Sequence, residues 1–136
     1  MNQILFLKSL LLIGMIFLHI IDDFHLQGMF KDLKQKIWWT KNVPDKKYKN
    51  DYIIALFEHS FSWTFSIMII PAIYMLKYST YDLLNLLFIC FFMLNITIHA
   101  IIDDYKANKL KLNLIQDQLI HFIQIIVTWI TFIIFN

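Results

Sequence analysis

The chain has 136 residues, room for one domain, and 59% of them are hydrophobic and 17% aromatic. A water-soluble domain of this size has too little interior to hide so much apolar surface, which makes a lipid bilayer the natural solvent. Twelve basic residues, all lysine, against ten acidic ones leave a net charge of +2, and no nucleic-acid recognition module accompanies the lysines, so nucleic acid is not an expected partner.

In chain order, the first apolar run covers 4–21 and is interrupted by Lys8. It ends in His and Asp instead of a small-residue cleavage site, which predicts a retained transmembrane helix with Lys8 snorkelling to the headgroups. Residues 28–51 form the one long polar segment, with seven lysines from Lys31 to Lys49. Within it Met29, Phe30, Leu33 and Ile37 fall at helical spacing beside Trp38 and Trp39, which predicts a short interfacial helix ended by Val43-Pro44-Asp45. A disordered basic loop is the alternative.

A second span follows over 52–76, with Glu58, His59, Ser60 and Ser62 at its polar end and a kink expected at Pro71. After a tight turn from Lys77 to Thr80 come a third span over 82–103 and a fourth over 114–135. Each approaches the ~20 residues that cross the hydrocarbon core. The expected architecture is all-α: one polytopic membrane domain of four transmembrane helices, arranged as two hairpins. Asn95, Thr97, Gln124 and Thr128 are expected to bond between helices, and Trp63, Trp129, Tyr74 and Tyr81 to pack or anchor. The single cysteine, Cys90, permits no intrachain disulfide and reads as a packing residue.

The connection between helices 1 and 2 carries seven lysines and that between helices 3 and 4 carries Lys106, Lys109 and Lys111, whereas the opposite face offers Lys77 and Lys8. The positive-inside rule then predicts a multi-pass cell-membrane protein with both termini extracytoplasmic. All five histidines fall toward the cytoplasmic face under this topology. His19/Asp23, His99/Asp103 and Asp117/His121 are each four residues apart, so each pair shares one helix face. Each hairpin repeats a kit of His-x3-Asp leaving one helix and a histidine early in the next: His19, Asp23, His59 and then His99, Asp103, His121.

Two histidines and a carboxylate form a familiar set for a first-row metal, and two facing sets in a four-helix bundle suit a dinuclear centre. The candidate ligands are His19, Asp23, His59, His99, Asp103, Asp117 and His121, for one or two divalent ions such as Zn, Mn or Fe. Asp22, Asp104 or Asp117 could bridge ions or hold a ligating imidazole. A lone His-x3-Asp is more often a hydrogen-bonded pair than a metal site. The repetition on several helices is what favours a functional centre.

The series His19-x3-Asp23-Phe24-x-Leu26-Gln27, a basic loop, His59, His99-x3-Asp103 and Asp117-Gln118-x2-His121 resembles the bacterial and phage membrane proteins grouped as domain of unknown function 3307. The resemblance runs from the first helix to the fourth and implies this fold without an established activity. It also implies a second histidine one turn after His59, where this chain has Trp63.

Two function classes follow. One is a metal-dependent hydrolase at the cytoplasmic membrane surface, with Asp22, Glu58 or Asp104 as general base and lysines drawing an anionic lipid or nucleotide substrate. The other is a non-catalytic membrane protein, a small ion or metal carrier or an assembly factor, that uses the cluster for packing or partner binding. Oligomerisation is compatible with both.

Overall fold

Asn2 accepts a hydrogen bond from the Ile4 amide (3.1 Å) and so caps the first helix, α1 (Gln3–Ile20). The structure, a computed structural model, describes residues 2–78 and 82–135, without the side chain of Asp82. The expected turn from Lys77 to Thr80 lies partly, and Tyr81 wholly, outside the described residues. Helix α1 runs into a π-helical turn, Ile21–Leu26, which holds Asp22, Asp23 and His25. Gly28 follows at φ +49°, a left-handed conformation that a Cβ would strain.

The polar segment carries α2 (Phe30–Leu33) and α3 (Lys36–Asn42). One short helix was expected here; instead the chain is extended at Gln35, because Lys34 turns inward. Asn108 takes up backbone groups at the break, donating to the Lys34 carbonyl (3.0 Å) and accepting from the Lys36 amide (2.7 Å). Helix α4 (Tyr52–Tyr78) continues through Pro71. Helix α5 spans Asp82–Ala107, and α6 (Leu114–Trp129) starts from a capping box between Asn113 and Gln116 and continues as a π-helical turn, Ile130–Ile134. No strand occurs among the described residues.

Four stretches, Gln3–Leu26, Lys46–Tyr78, Leu83–Ala107 and Leu114–Ile134, are long and apolar enough to cross a membrane. Helix α4 packs against α1, α5 and α6, while α1 and α5 each pack against α6, which closes a four-helix bundle. Gly14 permits the close approach of α1 to α4: a Cβ there would sit 2.8 Å from Ile70 Cδ1. The apolar core of Met15, Trp63, Ile67, Met68, Ile125 and Phe132 fills the bundle. Ile13, Phe17, Phe65, Ile89 and Ile123 project outward, as a hydrocarbon solvent allows. Lys8 donates to the Ile134 carbonyl (3.0 Å), and Trp129 Nε1 donates to the Lys8 carbonyl (2.8 Å), so the lysine expected to snorkel caps the end of the last helix.

The polar residues gather at the other end. The C-terminal ends of α1 and α5 and the N-terminal ends of α4 and α6 meet there, and each contributes a buried histidine.

Candidate metal centre

His59 enters from the second turn of α4 and is 1% exposed. Its Nε2 faces His99 Nε2 at 3.3 Å, Asp23 Oδ1 at 3.4 Å and Asp103 Oδ2 at 3.4 Å. His99 Nε2 stands 3.9 Å from the same Asp103 oxygen. Ligands held tetrahedrally at about 2.0–2.1 Å from one ion lie roughly 3.3–3.4 Å apart, so three of these four spacings match one coordination sphere before any ion is considered. Two imidazole nitrogens and two carboxylate oxygens also have the right chemistry for a divalent transition metal.

A second set shares Asp103. His121 Nε2 lies 3.5 Å from Asp117 Oδ1 and 3.9 Å from Asp103 Oδ1. Gln124 gives its amide nitrogen to Asn95 Oδ1 (3.1 Å), leaving its Oε1 to accept from His121 Nδ1 (3.1 Å). Neutral His121 then carries its lone pair on Nε2, aimed at carboxylate oxygens that also need a cation. Both His121 Nε2 and Asp117 Oδ1 are buried without a hydrogen-bond partner among the described residues. Buried polar atoms are normally paired, so two orphans facing one another suit a bound cation. Asp23–His59–His99, His99–Asp103–His121 and Asp23–Asp117–His121 each offer ligand atoms within 4.8 Å of one another, and these buried groups could hold a metal ion.

His19 is buried beside this cluster, but both of its nitrogens are engaged elsewhere. Trp63 Nε1 can only donate, and it donates to His19 Nδ1 (2.7 Å). Neutral His19 therefore carries its proton on Nε2, which donates to Gln118 Oε1 (3.0 Å). The Gln118 amide nitrogen in turn donates to Asp23 Oδ2 (2.7 Å) and Asp117 Oδ2 (3.1 Å). Thus His19, in the last turn of α1, reaches Asp23, inside the π-helical turn, through Gln118, and it orients carboxylates from both sets. Trp63 also stacks on His99, with ring centroids 4.3 Å apart.

Two lysines complete the cluster. Lys34, 7% exposed, donates to Asp103 Oδ2 at 2.5 Å, and Lys106 donates to Asp117 Oδ2 at 2.5 Å. The three candidate bases point elsewhere. Asp22 Oδ2 accepts from Ser62 (2.9 Å) and Ser66 (2.8 Å) on α4; Asp104 pairs with Lys109 (3.0 Å) and Asn108 (2.9 Å) near the end of α5; Glu58 is exposed.

Compared with known proteins, the chain matches no family model, no curated protein and no solved structure.

Sequence reasoning missed Lys34, Trp63, Gln118 and Gln27 as members of this site. Gln27 donates to the Asp23 carbonyl (3.0 Å) and lies 3.4 Å from His59 Nε2. Gln27 and Gln118 stood inside the resemblance motifs, so they carried a signal. Lys34 was one lysine among seven, and nothing local marks it as the one that turns inward.

Proposed function

We propose that this chain is a membrane protein with a one- or two-ion His/Asp metal centre, and that the centre supports hydrolysis of phosphate-containing or lipid substrates. The convergence of His99 Nε2, Asp23 Oδ1 and Asp103 Oδ2 on His59 Nε2 at 3.3–3.4 Å carries this reading. Asp23, His59, His99 and Asp103 would hold one ion, with Asp103, Asp117 and His121 offered to a second. A divalent ion there supplies Lewis-acid chemistry for hydrolysis. The chain's own contribution is orientation: His19 and Gln118 fix Asp23, Gln124 fixes His121, and Trp63 holds His99 flat. The lysine asymmetry supports a cytoplasmic position for this end of the bundle.

The test is metal analysis of the detergent-solubilised chain, wild type against His99→Ala. Stoichiometric metal in the wild type and its loss in the variant are expected. A metal-free wild type purified with metal supplied throughout would refute the centre.

One observation favours the second reading, a structural or partner-binding cluster without metal. Lys34 and Lys106 already neutralise Asp103 and Asp117, as a cluster serving packing alone would require. That reading expects a stable, metal-free protein.

A further inference from the structure

A cavity of about 720 Å³ opens over the candidate metal centre, with Asp23 and Asp103 in its wall. Lys31, Lys34 and Lys106 line the same cavity. Asp117, which accepts from Lys106, brings the carboxylates of the two ligand sets to three. With the histidines neutral, three carboxylates share the site with three lysines, two of which, Lys34 and Lys106, are in contact with Asp103 and Asp117. Each divalent ion added to the carboxylates would leave two positive charges uncompensated beside groups that are almost fully buried. An anion with two negative charges and several acceptor oxygens removes that imbalance. A monoanion such as a carboxylate removes only half of it.

We propose that this cavity is a binding subsite for a phosphate monoester dianion, which enters together with the metal and is gripped by Lys34, Lys31 and Lys106. The proposal rests on the metal-centre reading and narrows its substrate class to a phosphate monoester. Lys34 is the residue that exchanges partners. Its ammonium lies on Asp103 Oδ2, an oxygen that also faces His59 and His99. When that oxygen takes a metal, the ammonium is released on the cavity side, where it can meet the anion. Lys31 is exposed and makes no ion pair among the described residues, so its charge is available at the outset. Phe24 and Leu110, both largely exposed, also line the cavity and offer an apolar exit for the rest of an amphiphilic ester.

Metal and anion must then bind cooperatively, and thermodynamic linkage makes the effect reciprocal. The test uses the full chain in detergent, with the affinity for Mn²⁺ read from the electron paramagnetic resonance of the free ion. Inorganic phosphate should tighten Mn²⁺ binding by about fivefold or more, the lower end of ordinary coupling, while acetate at matched ionic strength should not. In phosphatidylcholine nanodiscs, added phosphatidic acid should do the same if the ester comes from the bilayer. Tightening by phosphatidic acid alone identifies a lipid source, and tightening by inorganic phosphate alone a soluble one. Lys34→Gln should lose most of the tightening, measured against its own Mn²⁺ affinity without phosphate. Lys31→Gln, at an exposed position that leaves Asp103 untouched, gives the same readout should Lys34→Gln fail to fold. Mn²⁺ bound with equal affinity with and without either phosphate source would overturn the subsite alone, as would full tightening in Lys31→Gln and in a folded Lys34→Gln. An absence of Mn²⁺ uptake under every condition would overturn the metal centre, and the subsite with it.

Discussion

Replacing Trp63 by Phe isolates the contribution of the groups around the ligands. Trp63 is fully buried, and its indole nitrogen is the donor that sets the tautomer of His19. Phenylalanine keeps an aromatic face against His99 but leaves His19 Nδ1 buried and unpaired, at about 1–3 kcal/mol. The smaller ring also leaves a gap in a packed layer, which adds on the order of 1 kcal/mol. A loss of roughly 2–4 kcal/mol is therefore expected, large against the ~5–15 kcal/mol that stabilises a typical domain, yet compatible with folding. The second consequence is chemical. Without its donor, His19 can turn, Gln118 loses the partner that holds its amide, and Asp23 and Asp117 lose their fixed orientation. Groups that orient ligands commonly change metal affinity by about 10–100-fold, so Mn²⁺ binding should weaken by that order. The assays are unfolding in mixed detergent micelles and Mn²⁺ titration. Trp39→Phe is the control, because Trp39 is only half-buried and donates to the carbonyl of Leu33, the last residue of α2, away from the cluster. Equal stability and equal Mn²⁺ affinity for Trp63→Phe and wild type would refute the argument that Trp63 acts through His19.

Asp103→Asn should abolish metal uptake and destabilise the chain by about 3–5 kcal/mol, because it leaves Lys34 buried without its counter-charge; metal content and thermal unfolding of the purified variant check both. Glu58→Gln, at an exposed position, should leave metal content unchanged and stability within about 0.5 kcal/mol in the same assays. Gly14→Ala should cost on the order of 1 kcal/mol, since the new methyl meets the mobile end of Ile70 at 2.8 Å and the α1–α4 contact must shift; detergent unfolding measures it. A reporter fused after Asn136 should be active outside the cytoplasm and one inserted near Lys47 inside it, and the reverse pattern would put the polar end of the bundle on the outer face.

The apolar runs and the two i,i+4 pairs on regular helix were legible in the chain alone, for one physical reason: they are local. Hydropathy over about twenty residues decides that a segment suits hydrocarbon, and a spacing of four decides that His99 and Asp103, or Asp117 and His121, share a face. Their side chains do meet, at 3.9 and 3.5 Å. His19 and Asp23 have the same spacing but sit across the junction with a π-helical turn, and Gln118 from the fourth span comes between them. Trp63 and Gln118 beside His19, Ser62 on Asp22 and His59 at Asp103 lie 40 to 99 residues away in the chain, and periodicity carries no information about such pairs. Only the tertiary packing decided that Asp22 turns to two serines while its neighbour Asp23 joins the cluster, and that one lysine of seven reaches inside. That choice follows from which helix each side chain faces once four apolar helices close around their own polar ends, where every buried charge must find a partner.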